Sequence, residues 1–318
     1  MKQYTNSGNK DTRSGFGAGL FEAGKQNRNV VALTADLIGS LKMEEFVAGF
    51  PERFFQCGIA EANMVGVAAG LAISGKIPFI GSFAEFVTGR VYDQIRQEVA
   101  YGRTNVKIAA SHAGITLGED GATHQTMEDI ALMRALPGMV VLNPCDYNQT
   151  KAATIAAAKY DGPVYLRFGR PGVPNFTPED QTFEIGKAIV MNEGTDVTVF
   201  ATGHLVWEAI QACAILEEEG ISAEIIDLAT IKPLDEAAVI ASVRKTGAAV
   251  CAEEHNTPGG LGELISGVLA QNLPAPVEFI SGGDRFGQSG TPAELMKAYG
   301  LDAGHIAEAA VKAIGRKK

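Results

Sequence analysis

The sequence predicts an α/β protein of two consecutive domains, each a mostly parallel sheet covered by helices. Two observations carry this. Short runs rich in β-branched and aromatic residues alternate with stretches of helical spacing, as in a parallel sheet whose crossover helices cover both faces. The alternation also occurs twice, interrupted by "GRPGVPNFTPEDQT" (169–182), whose Pro, Gly, Asn and Thr mark a linker. The domains are therefore drawn as 1–182, with the linker at its end, and 183–318. With 318 residues, 46% of them hydrophobic, the chain is long enough for two cores.

In the first domain, "NVVALTAD" (29–36), "KIPFIGSF" (76–83), "NVKIAASH" (105–112), "GMVVLNP" (138–144) and "PVYLRF" (163–168) read as buried strands. Helical spacing is found in "TRSGFGAGLFEAGKQ" (12–26), "GIAEANMVGVAAGLA" (58–72), "EFVTGRVYDQIRQEVAYG" (85–102), "TMEDIALMRAL" (126–136) and "DYNQTKAATIAAAKY" (146–160). In the second domain, "DVTVFATG" (196–203), "AEIIDL" (223–228), "AAVCAEEH" (248–255) and "PVEFISG" (276–282) read as strands. Helices are expected near 204–220, 235–245, 259–271 and 291–315.

Composition narrows the function. No apolar run approaches the ~18 residues of a membrane span. The opening MKQYTNSGNKDTRSG lacks the apolar core of a signal peptide. Cys57, Cys145, Cys213 and Cys251 lie far apart, indicating neither a C-x-x-C metal motif nor a disulfide framework, and a cytoplasmic setting is expected. A net charge of −10 disfavours nucleic acid and anionic membranes as partners, while leaving room for an anionic small substrate held by local cations.

Several stretches invite a chemical reading. "GFGAGL" (15–20), with Asp36 downstream, superficially suggests a dinucleotide fingerprint. The glycine spacing is wrong and no strand precedes it, so close helix packing is the better account. "SHAGITLGEDGATHQTMED" (111–129) gathers His112, Glu119, Asp120 and His124 in one glycine-rich loop after a strand, where parallel sheets bind ligands. Neither histidine belongs to a known metal spacing. Phe83 and Phe86 flank a strand end at three-residue spacing, suited to core packing or to a platform for a flat ring. Arg170 follows a strand at the domain boundary. "EEHNTPGGLGEL" (253–264) reads as a strand, a turn and a capped helix, with His255 open to a structural or a site role. Glu61 is a lone carboxylate at the first turn of an apolar helix, where burial requires a partner.

Taken together, "FFQCGIAEANMVGVAAGLA", "GSFAEFVTGRVYDQIR", "LGEDGATHQTMEDIALMRALPGMVVLNPCD" and "DGPVYLRFGRP" resemble, in order, the thiamine-diphosphate enzymes of the transketolase family. The resemblance covers nearly the whole chain and matches the family's pyrimidine-binding and C-terminal domains. It implies that Glu61 meets N1′ of the cofactor's aminopyrimidine, promoting the tautomer that takes a proton from the thiazolium carbon. It implies that Phe83 and Phe86 wall the pyrimidine, with Gly89 where the family often has a tyrosine, and that Asp36 lies near the cofactor. By the same resemblance Arg13, Ser40, His112 and Arg170 grip a sugar phosphate, Asp120 accepts a substrate hydroxyl, and His124 stands beside the reacting carbons.

The family also needs a Gly-Asp-Gly motif with a downstream Asn to hold Mg²⁺ and the diphosphate. "GEDG" with Asn143 is a false echo, because its "ATHQ" continuation belongs to the substrate loop. The resemblance thus implies a C-terminal subunit of a split transketolase, whose N-terminal partner carries the metal site, in a heterotetramer. Self-association is also expected, through close contacts at Ala68, Ala69 and Gly70. The rival readings are a deoxyxylulose-phosphate-synthase-like or 2-oxoacid-dehydrogenase-β-like subunit and, in another class, a non-catalytic relic that binds a metabolite or partner.

Overall fold

The computed structural model describes residues 4–317. Fourteen strands form among them: β1 (Asn9–Asp11), β2 (Val30–Thr34), β3 (Phe54–Gln56), β4 (Ile77–Phe83), β5 (Lys107–Ser111), β6 (Val140–Leu142), β7 (Val164–Arg167), β8 (Gly172–Pro174), β9 (Ile189–Asn192), β10 (Val197–Ala201), β11 (Ala223–Asp227), β12 (Thr230–Lys232), β13 (Ala249–Ala252) and β14 (Val277–Ile280). They build a seven-stranded sheet in the order β12-β6-β7-β5-β4-β2-β3 and a five-stranded sheet in the order β14-β13-β10-β11-β9. All pairings within the two sheets are parallel except β12 with β6 and β9 with β11, which are antiparallel at the edges. The expected α/β architecture is present.

Alternation along each strand explains why both faces are covered. Val31, Leu33, Ile80, Ile108, Val141 and Tyr165 face one core with Met64, Val65 and Ala68 of the helix Glu61–Ile73. Val30, Ala32, Phe79, Ala109, Val140 and Leu166 face the other, against the helices Thr12–Gln26 and Tyr147–Lys159. Asp11 and Asp146 cap those two helices through the amides of Ser14 and Gln149. The glycines of "GFGAGL" are packing residues. A Cβ at Gly15 would overlap the carbonyl oxygen of Tyr147, and one at Gly17 that of Lys42. The second sheet repeats the pattern, with Val199, Ile225 and Val250 on one side and Phe200, Ile226 and Cys251 on the other.

Several elements differ from the sequence reading. The stretch 85–102 breaks at Thr88–Val91 into the helix Ala84–Val87 and a second helical segment, Tyr92–Gln94 continued by the π-helix Ile95–Tyr101. The stretch 291–315 divides into Pro292–Ala298 and Ala303–Gly315, separated at Gly300, whose φ is 65°. The 169–182 stretch contains β8, which pairs with β1. Strand β12, from the second half of the sequence, completes the edge of the first sheet. Ala68 and Ala69 are buried within the chain's own core and cannot supply a contact between copies; of that trio only Gly70 is open. Among the described residues no helix is long and apolar enough to cross a membrane.

Candidate active site

The functional candidates gather where β2, β4, β5 and β7 end, at the carboxyl edge of the first sheet. After β4 the chain turns at once into Ala84–Val87, which places the Phe83 and Phe86 rings side by side, 5.9 Å apart and inclined by 15°. His112, immediately after β5, stacks on Phe83 at 3.8 Å. His124 meets Phe83 and Phe86 edge-on at 6.4 and 5.2 Å. Two phenylalanines and two histidines thus form one aromatic cluster.

Glu61 opens its helix and is only 4% exposed. Its Oε1 accepts hydrogen bonds from Arg90 Nη1 at 3.1 Å and from Ser82 Oγ at 3.3 Å. The guanidinium of Arg90 also lies 4.0 Å over the Phe86 ring. Arg90 is therefore the counterion that the buried carboxylate requires, and sequence reasoning missed it. The stretch 85–102 was read as one continuous helix, in which nothing singles Arg90 out. The break at Thr88–Val91 turns it back onto Phe86. It is half exposed, so Glu61 is covered by a long side chain with freedom to move. Gly89, exposed, leaves open the place where the family often has a tyrosine.

Glu85, half-buried between the two phenylalanines in sequence, was also missed. Burial, then the charges of Glu128 and Asp129, push its pKa up to about 7 against the opposing pull of Arg90. It therefore titrates near neutrality at the flank of the site.

The four residues assigned to an anion converge. Arg13 donates through Nη1 to the carbonyl of Ser40 at 3.3 Å and pairs through Nε with Asp11 at 3.2 Å. Ser40 contributes its carbonyl to that contact. Arg170 donates through Nη1 to Leu117 O at 2.8 Å and to Glu119 Oε2 at 3.0 Å. His112 is 3% exposed and adopts φ 60°, a left-handed conformation that costs about 1–3 kcal/mol and concentrates at functional sites. Its Nδ1 shares a 2.6 Å hydrogen bond with Ser111 Oγ. Burial, then the charges of Arg13 and Arg170, lower its pKa to about 3. His112 is thus a neutral hydrogen-bonding group that feels the charge of both arginines.

Two further candidates, Asp36 and Asp120, are exposed carboxylates. Asp36 also has a left-handed φ of 64°; it is exposed, and its amide donates to Gln56 Oε1 at 2.7 Å. Asp120 is exposed, between Gly118 and Gly121, both at positive φ. Among the described residues neither carboxylate makes a hydrogen bond or ion pair. His255 takes a structural role: it is fully buried, its Nε2 accepts the Ala131 amide, and its Nδ1 bonds Asn256 O. A cleft of about 600 Å³ lined by Arg96, Tyr101, Arg103 and Tyr160 contains none of these candidates.

Comparison with known proteins agrees with this geometry. Residues 9–175 match the transketolase pyrimidine-binding domain, and residues 186–306 match the transketolase C-terminal domain. A Methanocaldococcus jannaschii protein, provisionally named a transketolase C-terminal section, is 49% identical over 302 residues, covering 94% of this chain and 95% of that one. The 6-deoxy-6-sulfo-D-fructose transketolase subunit SqwH of a Clostridium species is 43% identical, over 94% of this chain and 92% of its own length. A solved structure described as a split gene transketolase, inactive beta4 tetramer, superposes with a TM-score of 0.90 at 45% identity, covering 98% of this chain and 100% of that chain. The chain belongs to the transketolase family. Within it, the chain is a C-terminal section of the split type, and the synthase-like, dehydrogenase-like and relic readings are not favoured.

Proposed function

We propose that this chain is the C-terminal subunit of a two-part transketolase that moves a two-carbon ketol unit between sugar phosphates, with thiamine diphosphate held against Glu61. The observation that carries the reading is the buried Glu61 carboxylate near the Phe83–Phe86 pair, bonded by Ser82 and by the half-exposed Arg90, which lies over Phe86. This fits the aminopyrimidine of the cofactor: a carboxylate to bond the ring nitrogen, and apolar rings to cover its face. When bound, thiamine diphosphate supplies the electron sink for cleaving and forming the carbon–carbon bond.

Glu61 would hold the proton at the pyrimidine nitrogen, in surroundings dry enough to strengthen that bond. Phe83 and Phe86 would exclude water. His124, edge-on to both rings, would orient or pass protons at the reacting carbons, and Asp120 would accept a substrate hydroxyl. Arg13, Ser40, His112 and Arg170 would grip the phosphate, the arginines by charge and His112 by a neutral hydrogen bond. Asp36 is assigned to the cofactor's surroundings. The names of relatives support an anion-bearing ketose: one acts on a sulfo-fructose, and another, from Phocaeicola vulgatus and 38% identical, is one component of an apulose-4-phosphate transketolase.

The Mg²⁺ and diphosphate ligands are assigned to an N-terminal partner, and the active form to a heterotetramer with two copies of each subunit. The inactive beta4 assembly of the related chain supports both self-association and the need for a second component. A cytoplasmic enzyme of carbohydrate metabolism accords with four unpaired thiols.

The test is reconstitution. The purified chain, titrated by calorimetry with thiamine diphosphate and Mg²⁺, should bind weakly and turn over no ketose phosphate. Co-expressed with an N-terminal transketolase subunit, it should transfer a ketol unit in a donor–acceptor screen. Tight binding with turnover by the chain alone would refute the two-part reading. A reconstituted complex inert toward every ketose phosphate would refute the transferase reading.

A further inference from the structure

The segment Glu253-Glu254-His255 follows β13 in the second sheet, and the proposed chemistry does not use it. All three side chains are buried, at 2%, 3% and 0% exposure. Adjacent buried carboxylates each need their own partners. Glu253 finds them in its own domain, accepting the amides of Leu261 at 2.7 Å and Gly262 at 2.9 Å, where the helix Leu261–Asn272 begins. Glu254 turns the other way, into the first domain. Its Oε1 accepts the Thr116 amide at 2.6 Å, its Oε2 lies 3.5 Å from Nδ1 of the buried His204, and its carbonyl accepts Arg167 Nη2 at 2.8 Å.

The segments that Glu254 and His204 touch are the ones that carry the anion-gripping groups. The Glu254 carboxylate packs against Gly114, where φ is +81° and a Cβ would overlap it. Gly114 stands two residues from His112, and Thr116 precedes Leu117, whose carbonyl holds Arg170. The His204 ring packs against Gly169, directly before Arg170, again with no room for a Cβ. Two further bonds tie the same loop to the second domain: Asn256 N to Met127 O at 2.6 Å, and Gln125 Nε2 to Gln288 O at 3.0 Å. Orientation of binding groups to within a fraction of an ångström is what such supports provide.

We propose that Glu254 is a positioning residue through which the C-terminal domain, with His204 beside it, sets the spacing of His112 and Arg170 and so the affinity for the phosphate end of the substrate. This rests on the reading of that site as a phosphate grip, and it gives the C-terminal domain a part in substrate selection.

Three variants test it: Glu254→Leu, which removes the acceptor; Glu254→Asp, which keeps the charge but withdraws it from Thr116; and Glu254→Gln, whose carbonyl oxygen can still accept the Thr116 amide while its NH₂ faces His204 Nδ1. In the reconstituted complex, Leu should raise KM for a ketose phosphate at least ~10-fold and Asp ~3–10-fold, with Gln within ~3-fold of wild type. Cofactor affinity and KM for the unphosphorylated ketose should hold. In the chain alone, hydrogen exchange of the peptide spanning 113–118 should quicken in Leu and Asp, while β10 and β13 stay protected. Unchanged exchange and an unchanged KM ratio in both Leu and Asp would overturn the proposal. So would a loss spread equally over cofactor and both sugars. If even the wild-type complex transfers nothing, the phosphate-grip reading fails, and the exchange measurement still decides whether Glu254 holds the loop.

Discussion

Replacing Arg167 by leucine should destabilise the chain strongly. Arg167 ends β7, its side chain is 4% exposed, and its Nε donates at 2.7 Å to Asp129 Oδ2, a residue with no exposure at all. Tyr165 donates its hydroxyl to the same oxygen at 2.6 Å, while Asp129 Oδ1 has no partner among the described residues. Leucine would remove the cation bonded to this carboxylate, together with the bond to the Glu254 carbonyl. Removing one member of a buried pair costs about 3–5 kcal/mol, because the other charge is left uncompensated. At about 2–4 °C per kcal/mol for domains of this size, the melting temperature should fall by roughly 6–20 °C. Burial alone would raise the Asp129 pKa, but the charge and hydrogen bond of Arg167, with His255 and Tyr165 assisting, hold it below the ordinary 3.8. A depressed folded pKa means that the stabilisation is present above 3.8 and is lost only as pH falls through the lower folded value. The assay is a thermal melt at pH 7 of the wild type, Arg167→Leu and the double variant Arg167→Leu/Asp129→Asn. The double variant should recover much of the loss, since it leaves no naked charge. A single variant melting within about 2 °C of wild type, or a double variant as unstable as the single, would show the reasoning to be wrong.

Glu61→Gln should fold normally yet lower kcat in the reconstituted complex by ~10²–10⁴-fold, measured with a ketose phosphate donor. Arg170→Ala and His112→Ala should raise KM for phosphorylated sugars and leave cofactor affinity unchanged by calorimetry; the reverse pattern would remove them from the phosphate grip. Because the folded pKa of His112 is about 3, below the unfolded 6.5, the unfolded chain takes up the proton first, and stability should decline as pH drops from 6.5 toward 3. His112→Gln should flatten that part of a stability–pH profile measured by urea denaturation. Arg90→Ala should leave the buried Glu61 carboxylate with only the 3.3 Å Ser82 bond among its hydrogen bonds and cost about 1–3 kcal/mol in the chain alone, read from the same urea curves.

The strands of the two parallel sheets were legible because burial on both faces demands continuous apolar runs, as in Val30–Thr34 and Val197–Ala201. Of the three-residue strands only Val140–Leu142 was. Phe54–Gln56 and Thr230–Lys232 are too short to show a period, and their pairing is decided by what lies beside them in space. Phe83, Phe86, His112 and His124 were nominated from sequence, and the structure brings them together. Arg90 was hidden by a helix break that local spacing did not reveal. Glu254 was hidden more deeply, since the amide it holds, that of Thr116, belongs to the other domain. Two small residues, Ala68 and Ala69, were misjudged because small size suits close packing inside the chain as well as between chains.

The edge strand Thr230–Lys232 bears on how this protein is made. It closes the seven-stranded sheet against Val140–Leu142, yet β9, β10 and β11, all members of the other sheet, are synthesised before it. During translation the first sheet therefore waits with the outer edge of β6 bare, a row of unpaired amides and carbonyls able to template pairing with a neighbouring chain. The same holds for any fragment that stops at residue 182: it would carry the whole aromatic cluster and still lack its border. A soluble half-protein bearing Glu61, Phe83 and His112 is best sought by ending the chain beyond Lys232, or by grafting that strand onto the shorter piece.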